Sequence, residues 1–254
     1  MLKKFKNLSI AWILVSVLAL PAFAGQRPVK ANDQKIQKDV NKVLRDNNAW
    51  KDVRASVDDG VVTLDGSVPL YRDKAKLDQK IQGRKGVLGV RDYVEIAGTS
   101  ASDLELQDKL ADKLRYDRET YGSVFNNLTL DVHNGVAVVG GTVRTPMDKQ
   151  SALAQVESTP GVKKVVDQIK VAPASMYDDR LRVEIARAIY RRLPPQYALD
   201  PQRPIRIVVV NGHVELNGVV NNKLDRQIAE AQARSVPGVF SVTDNLAVPG
   251  EIVR

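Results

Sequence analysis

Three stretches decide the reading of this chain: Val57-Asp-Asp-Gly-Val-Val-Thr-Leu-Asp-Gly-Ser-Val68, Val132-His-Asn-Gly-Val-Ala-Val-Val-Gly-Gly-Thr-Val143 and Val209-Val-Asn-Gly-His-Val-Glu-Leu-Asn-Gly-Val-Val220. Their first glycines, Gly60, Gly135 and Gly212, stand 75 and then 77 residues apart. Gly66, Gly141 and Gly218 keep the same intervals, and so do Gly86, Gly161 and Gly238. The last three each open Gly-Val-x-x-Val-x-Asp, ending at Asp92, Asp167 and Asp244. Nine glycines in register at one period mark a supersecondary unit repeated three times.

The elements of the unit follow from local pattern. Ile36, Val40, Val43 and Leu44 recur at helical spacing, as do Leu106, Leu110 and Leu114, and Leu181, Ile185, Ala188 and Ile189. They predict a first helix over 33–45, 102–115 and 178–193. Ser102 with Glu105 forms a capping-box pattern at the second of these. Asp59-Gly60, Asn134-Gly135 and Asn211-Gly212 are dipeptides that supply positive φ to a tight hairpin. Val62, Leu64 and Val68 share one face of the second strand, as do their counterparts in the other copies. Gly66 and its equivalents fall on that face, where a glycine is expected to let a helix come close to the sheet.

A second helix is predicted around 71–84, 146–158 and 222–235, with Thr145-Pro146 as N-cap and first helical position. A last strand carries Val90, Val94 and Ile96 in phase, repeated by Val165, Ile169 and Val171, and by Val242, Leu246 and Val248. The fold class is therefore α+β: three tandem αββαβ modules, at 33–98, 102–172 and 178–248. Each has a three-stranded mixed sheet with two helices on one face, the mixture following if the third strand returns parallel to the second. Val136 and Val138 make the outer sheet face of the middle copy the most apolar of the three, and it is expected to pack on a neighbouring copy or a partner.

These residues resemble the BON domain family, found in bacterial osmotically inducible periplasmic proteins and in some secretion and channel proteins. The likeness rests on the hairpin pattern Val-x-Asn/Asp-Gly-x-Val-x-Leu-x-Gly-x-Val and on the later Gly-Val-x-x-Val-x-Asp. The family often has asparagine where Asp92, Asp167 and Asp244 stand. The resemblance implies an export-compartment module that binds phospholipid or mediates envelope contacts, without enzymatic activity.

The N-terminus agrees with export. Lys3, Lys4 and Lys6 precede an apolar run from Leu8 to Leu20, and Ala22-Phe23-Ala24 is a small-x-small cleavage signal. Residues 1–24 are expected to be a signal peptide cleaved after Ala24, and the protein periplasmic. With no cysteine, disulfides and lipoprotein anchoring are excluded. The net charge is +8. Loss of the three leader lysines, with no acid among them, leaves +5. That excess suits weak attraction to anionic surfaces but is no dense nucleic-acid-binding stripe.

Catalytic chemistry has little to stand on. His133 and His213 do not repeat between copies. No Gly-x-Ser-x-Gly elbow or phosphate-cradling loop occurs. Asp92, Asp167 and Asp244 are expected to hydrogen-bond nearby backbone. No catalytic residue, metal site, cofactor, small-molecule substrate or nucleic-acid partner is assigned. The candidate lipid-binding residues are Arg180, Arg187, Arg191 and Arg192 on the first helix of the third copy; the first three fall within about 40° of one another at about 100° per residue. A lesser basic row is Arg72, Lys74, Lys76 and Lys80. Trp50 and Phe125, aligned in the loop that varies most between copies, are candidate loop contacts, with capping of the core as their other reading. Two functions are therefore expected to compete: weak binding of anionic phospholipid in envelope integrity or osmotic stress, and a protein-interaction or chaperone-like module.

Overall fold

The computed structural model describes residues 31–98, 102–116, 125–199 and 205–250. The expected leader, residues 1–24, lies outside them. The first module runs α1 (Ala31–Arg45), a single 3-10 turn (Asn48–Trp50), β1 (Val53–Asp58), β2 (Val61–Val68), α2 (Tyr71–Gln82) and β3 (Gly89–Ile96). The second has α3 (Asp103–Tyr116), β4 (Asn127–His133), β5 (Val136–Val143), α4 (Pro146–Glu157) and β6 (Lys164–Val171). The third has α5 (Met176–Arg192), a short α6 (Pro195–Leu199), β7 (Ile205–Val210), β8 (His213–Val219), α7 (Lys223–Arg234) and β9 (Ser241–Ala247).

Each module forms its own three-stranded sheet with the central hairpin strand in the middle. The hairpin pair is antiparallel and the last strand is parallel to the middle one, so the mixed sheet expected from the sequence is what forms. Register puts Val62 against Val57 and Val90, and Leu64 against Ala55 and Asp92. Apolar residues therefore accumulate on one face, and Ile36, Val40, Leu77 and Ile81 cover it from the two helices. The expected caps are present: Ser102 and Glu105 bond reciprocally, and Thr145 with Asp148 makes a full capping box ahead of Pro146.

A side chain missed by pattern reading joins helix to hairpin. The turn residues Asp59 and Gly60 have φ of 48° and 75°, as a type I′ turn requires, with Asn134–Gly135 and Asn211–Gly212 alike. Their two N–H groups point out of the ladder. In the first module, Asp33 at the start of α1 accepts both, at 3.2 and 2.9 Å. Asp103 accepts the same pair at 2.7 and 2.9 Å, and Asp178 at 2.9 and 2.9 Å. The hydrogen bonds from Gly135 and then Asn134 hold the Asp103 carboxyl below the usual aspartate range.

Gly66 and its equivalents have a different reason from the one expected. Gly66 and Gly141 have φ of 118° and 94°. A Cβ at either would strike the carbonyl oxygen of Asp52 or Asn127 at the start of the neighbouring strand, not a helix. The glycine lets the middle strand take a positive φ where it passes the start of the neighbouring strand.

The modules touch through aromatic side chains. Tyr71, first residue of α2, packs on the core of the second module. Phe125 is buried within the core of the third. Arg144, just after β5, pairs with Asp179 of α5 at 3.1 Å. The open face of the middle sheet stays half-exposed at Val136, Val138 and Val166. Contact with the third module is made by the edge strand β4 against β7, where Val208 is 4% exposed.

Two predictions follow from these constraints. Gly66→Ala is expected to destabilise the chain by at least about 2 kcal/mol, read by denaturant unfolding. Gly89→Ala, whose added Cβ meets nothing within 4 Å, is expected to stay within about 0.5 kcal/mol. The depressed pKa of Asp103 makes its contribution full above the unfolded-state value of 3.8 and lost as pH falls through the lower folded-state value. Asp103→Asn is therefore expected to lower Tm near neutral pH, with the gap to the parent closing in acid below 3.8; an unchanged gap in acid would refute the charge argument.

Candidate functional site

The repeated acids come first, because threefold recurrence tests whether a residue serves structure. Asp92, Asp167 and Asp244 accept the N–H two residues on, from Val94 at 2.8 Å, Ile169 at 2.9 Å and Leu246 at 2.9 Å. Each also meets a cation from the second helix of its module: Lys74 at 3.0 Å, Lys149 at 2.7 Å and Arg226 at 2.7 Å. Register places each acid opposite an inward-facing residue, Leu64, Val139 or Leu216. A carboxylate on the helix-covered face needs compensation, and the helix cation supplies it. These acids thus act in folding three times over.

Both histidines are exposed. His213 lies 2.7 Å from Ser241 Oγ through Nδ1, with its ring centroid 6.0 Å from that of Phe240. His133 ends β4 beside the turn. Among the described residues one acidic trio, Asp33, Asp58 and Asp59, brings its carboxylates within 4.8 Å of one another. Both oxygens of Asp33 are already occupied by turn N–H groups.

The aromatic candidates lie inside cores. Trp50 is 1% exposed, and its Nε1–H donates to the Asp73 carbonyl at 2.9 Å. It caps the first module where the loop meets α2. Phe125 is 4% exposed but is buried against the third module rather than in a cap on its own. Tyr197, in the corresponding loop of the third module, repeats the role of Trp50: its hydroxyl donates to Asp225 Oδ2 at 2.8 Å at the start of α7. The different loop length hid that equivalence.

The lesser basic row is committed elsewhere. Lys74 pairs with Asp92, and Lys80 sits 5.6 Å above the Trp50 ring. Arg72 and Lys76 lie close enough to Glu157 of the second module to draw its pKa down, against the larger upward push of burial.

The row on α5 is different. Arg180, Arg187, Arg191 and Arg192 are all exposed, while Leu181, Ile185 and Ile189 are at most 2% exposed. Arg182, on the other side of the helix, is 3% exposed and donates to Asp179 and to the Val209 carbonyl. At about 100° per residue, Met176 and Tyr177 fall on the same side as Arg180, Arg187 and Arg191. Both are exposed, Met176 at 86% and Tyr177 at 46%. Tyr177 donates to the Gly238 carbonyl at 2.9 Å, near Phe240, which is 72% exposed. Glu184 interrupts the row and is half-buried. Sequence periodicity found the arginines; it missed Met176 and Tyr177 at their head, because the helix was expected to begin only at Asp178 and it begins at Met176. No helix among the described residues is long and apolar enough to cross a membrane.

None of the curated proteins compared with the chain matches it. Among solved structures it is similar to the C-terminal domain of CdsD, the structural protein of the type III secretion system of Chlamydia trachomatis. That alignment has 15% identity and a TM-score of 0.24, over 83% of this chain and 96% of that one. A second CdsD structure aligns at 16% identity and a TM-score of 0.23, over 84% and 92%. Superpositions this loose do not bear on function. The family comparison is decisive: residues 32–98, 102–173 and 182–250 each match the BON domain model, so this chain, three such modules in tandem, belongs to the BON domain family.

Proposed function

We propose that the chain is a non-enzymatic envelope protein, exported to the periplasm by its leader, that binds anionic phospholipid surfaces weakly and reversibly through α5. One observation carries the reading: the exposed arginines of α5 share a face with the exposed Met176 and Tyr177. Guanidinium groups attract anionic headgroups, and apolar residues at one end of the row can enter the headgroup boundary. A helix presenting both is suited to lie along such a surface. Three linked modules raise the avidity of such weak contacts without adding a new one, which suits a role in envelope integrity or osmotic stress.

The second reading, a protein-interaction module, draws on the half-exposed Val136, Val138 and Val166 of the middle sheet. Salt separates the two. Charge contacts weaken as the screening length falls from about 10 Å at 0.1 M salt to about 3 Å at 1 M; apolar sheet contacts persist.

The chain lacking residues 1–24 is expected to pellet with vesicles containing anionic phospholipid and not with neutral ones, and to be released by raised salt. The triple substitution Arg180→Ala, Arg187→Ala and Arg191→Ala is expected to abolish pelleting without changing Tm by more than a few degrees. Absence of pelleting at low salt would overturn the lipid reading and favour a protein partner, sought by crosslinking in the periplasm.

A further inference from the structure

Where the second and third modules meet, Phe125, Arg144, Asp179, Arg182, Val183 and Arg187 line a cavity of about 350 Å³. Arg144 enters from the second module. Its backbone N–H is fixed at 2.8 Å by Oδ1 of Asn126, itself 2% exposed. Its guanidinium straddles Asp179, Nε to Oδ1 at 3.1 Å and Nη2 to Oδ2 at 3.5 Å. Arg182 Nη1 donates to the same Oδ1 at 2.6 Å. Arg187 lines the cavity about two turns further along α5 and is exposed.

One carboxylate thus bridges two guanidinium groups, Arg144 and Arg182, and the third arginine of the lining, Arg187, is not among the partners of Asp179. Arginine does not relieve such an excess by losing a proton. Phe125 and Val183 supply the apolar part of the lining, while Arg144 and Asp179 are 41% and 40% exposed, so a solute can reach both charges from solvent. Asp179 already shows what the place accepts: an anion held by the Arg144 fork and by one N–H of Arg182. A phosphate group has the charge and the oxygens to take donors from Arg144 and Arg187 together. The cavity is near the lower end of the range for small-molecule sites, about 300–1,000 Å³.

We propose that this junction binds a phosphate ester, either a soluble phosphomonoester or the headgroup of a phospholipid, with Arg144 and Arg187 as its donors and Asp179 as the internal anion that competes with it. Arg187 belongs to the α5 row and Arg144 does not, so the site deepens the surface reading rather than repeating it; titration with soluble phosphates tests it without any vesicle, and Arg144→Gln tests it without touching the row.

The test is calorimetric titration of the purified exported chain with glycerol 3-phosphate and with inorganic phosphate, at ionic strength held constant with chloride. Saturable binding at one site is expected. Arg144→Gln and Arg187→Gln are each expected to weaken it about tenfold or more, while Lys38→Gln on the distant first module leaves it unchanged. Asp179→Asn decides between a binding and a structural role. It breaks the same cross-module ion pair as Arg144→Gln, yet is expected to tighten phosphate binding several-fold by removing the competitor. Weakening by both variants, or no saturable binding by the parent, would overturn the proposal. Anionic vesicles then identify the source: release of pelleted protein by glycerol 3-phosphate assigns the site to a headgroup, and titration without release assigns it to a soluble ester.

Discussion

The whole architecture rests on one carboxylate used three times. A type I′ hairpin turns two N–H groups away from the strand ladder, and groups left without partners inside a fold are costly. Asp33, Asp103 and Asp178 each take such a pair from the first turn of a helix. The bond satisfies the turn and the carboxylate together, and it sets where the helix begins relative to the hairpin. From that anchor, Ile36, Leu106 and Leu181 come to rest in their respective cores. Asp33 and Asp178 are at most 3% exposed, a burial that a charged group tolerates only with such donors.

A second carboxylate performs the complementary task at the other helix. Asp92, Asp167 and Asp244 tie the last strand to a cation on the crossing helix. Each module is thus bracketed by two acids, one for each helix, with the apolar core between them. The consequence for function is indirect. Lys74, Lys149 and Arg226 are drawn into internal work, and Arg72, Lys76 and Lys80 sit beside Glu157 or Trp50. On α5, by contrast, Arg180, Arg187 and Arg191 face outward while the inward side is filled by Leu181, Ile185 and Ile189.

The modules are related by repetition but are not equivalent. In the first and third, an aromatic from the variable loop caps the core and reaches the second helix, through Trp50 and Tyr197. In the second, Phe125 leaves that position and enters the core of the third module. Together with Arg144 and Asp179 it turns the joint between these two modules into a packed seam with a charged cavity. The first joint instead carries Tyr71 against the second core. Side chains in the variable loop and at the helix ends distinguish the two joints.

The sequence by itself determined the modules, their αββαβ order, the positive-φ hairpin turns at Gly60, Gly135 and Gly212, and the arginine row of α5. These are local matters: turn chemistry and alternating or helical spacing are written within a dozen or so neighbouring residues, and repetition three times removes ambiguity. The use of Asp33, Asp103 and Asp178, the collision that Gly66 avoids, the burial of Phe125 in another module and the meeting of Arg144 with Asp179 were decided only by tertiary structure. Each joins residues whose separation follows no period: Arg144 and Asp179 are 35 apart, Asp33 and Gly60 are 27 apart. Periodicity tells which face of an element is buried; it carries no information about which distant side chain arrives there, because that depends on how whole elements pack.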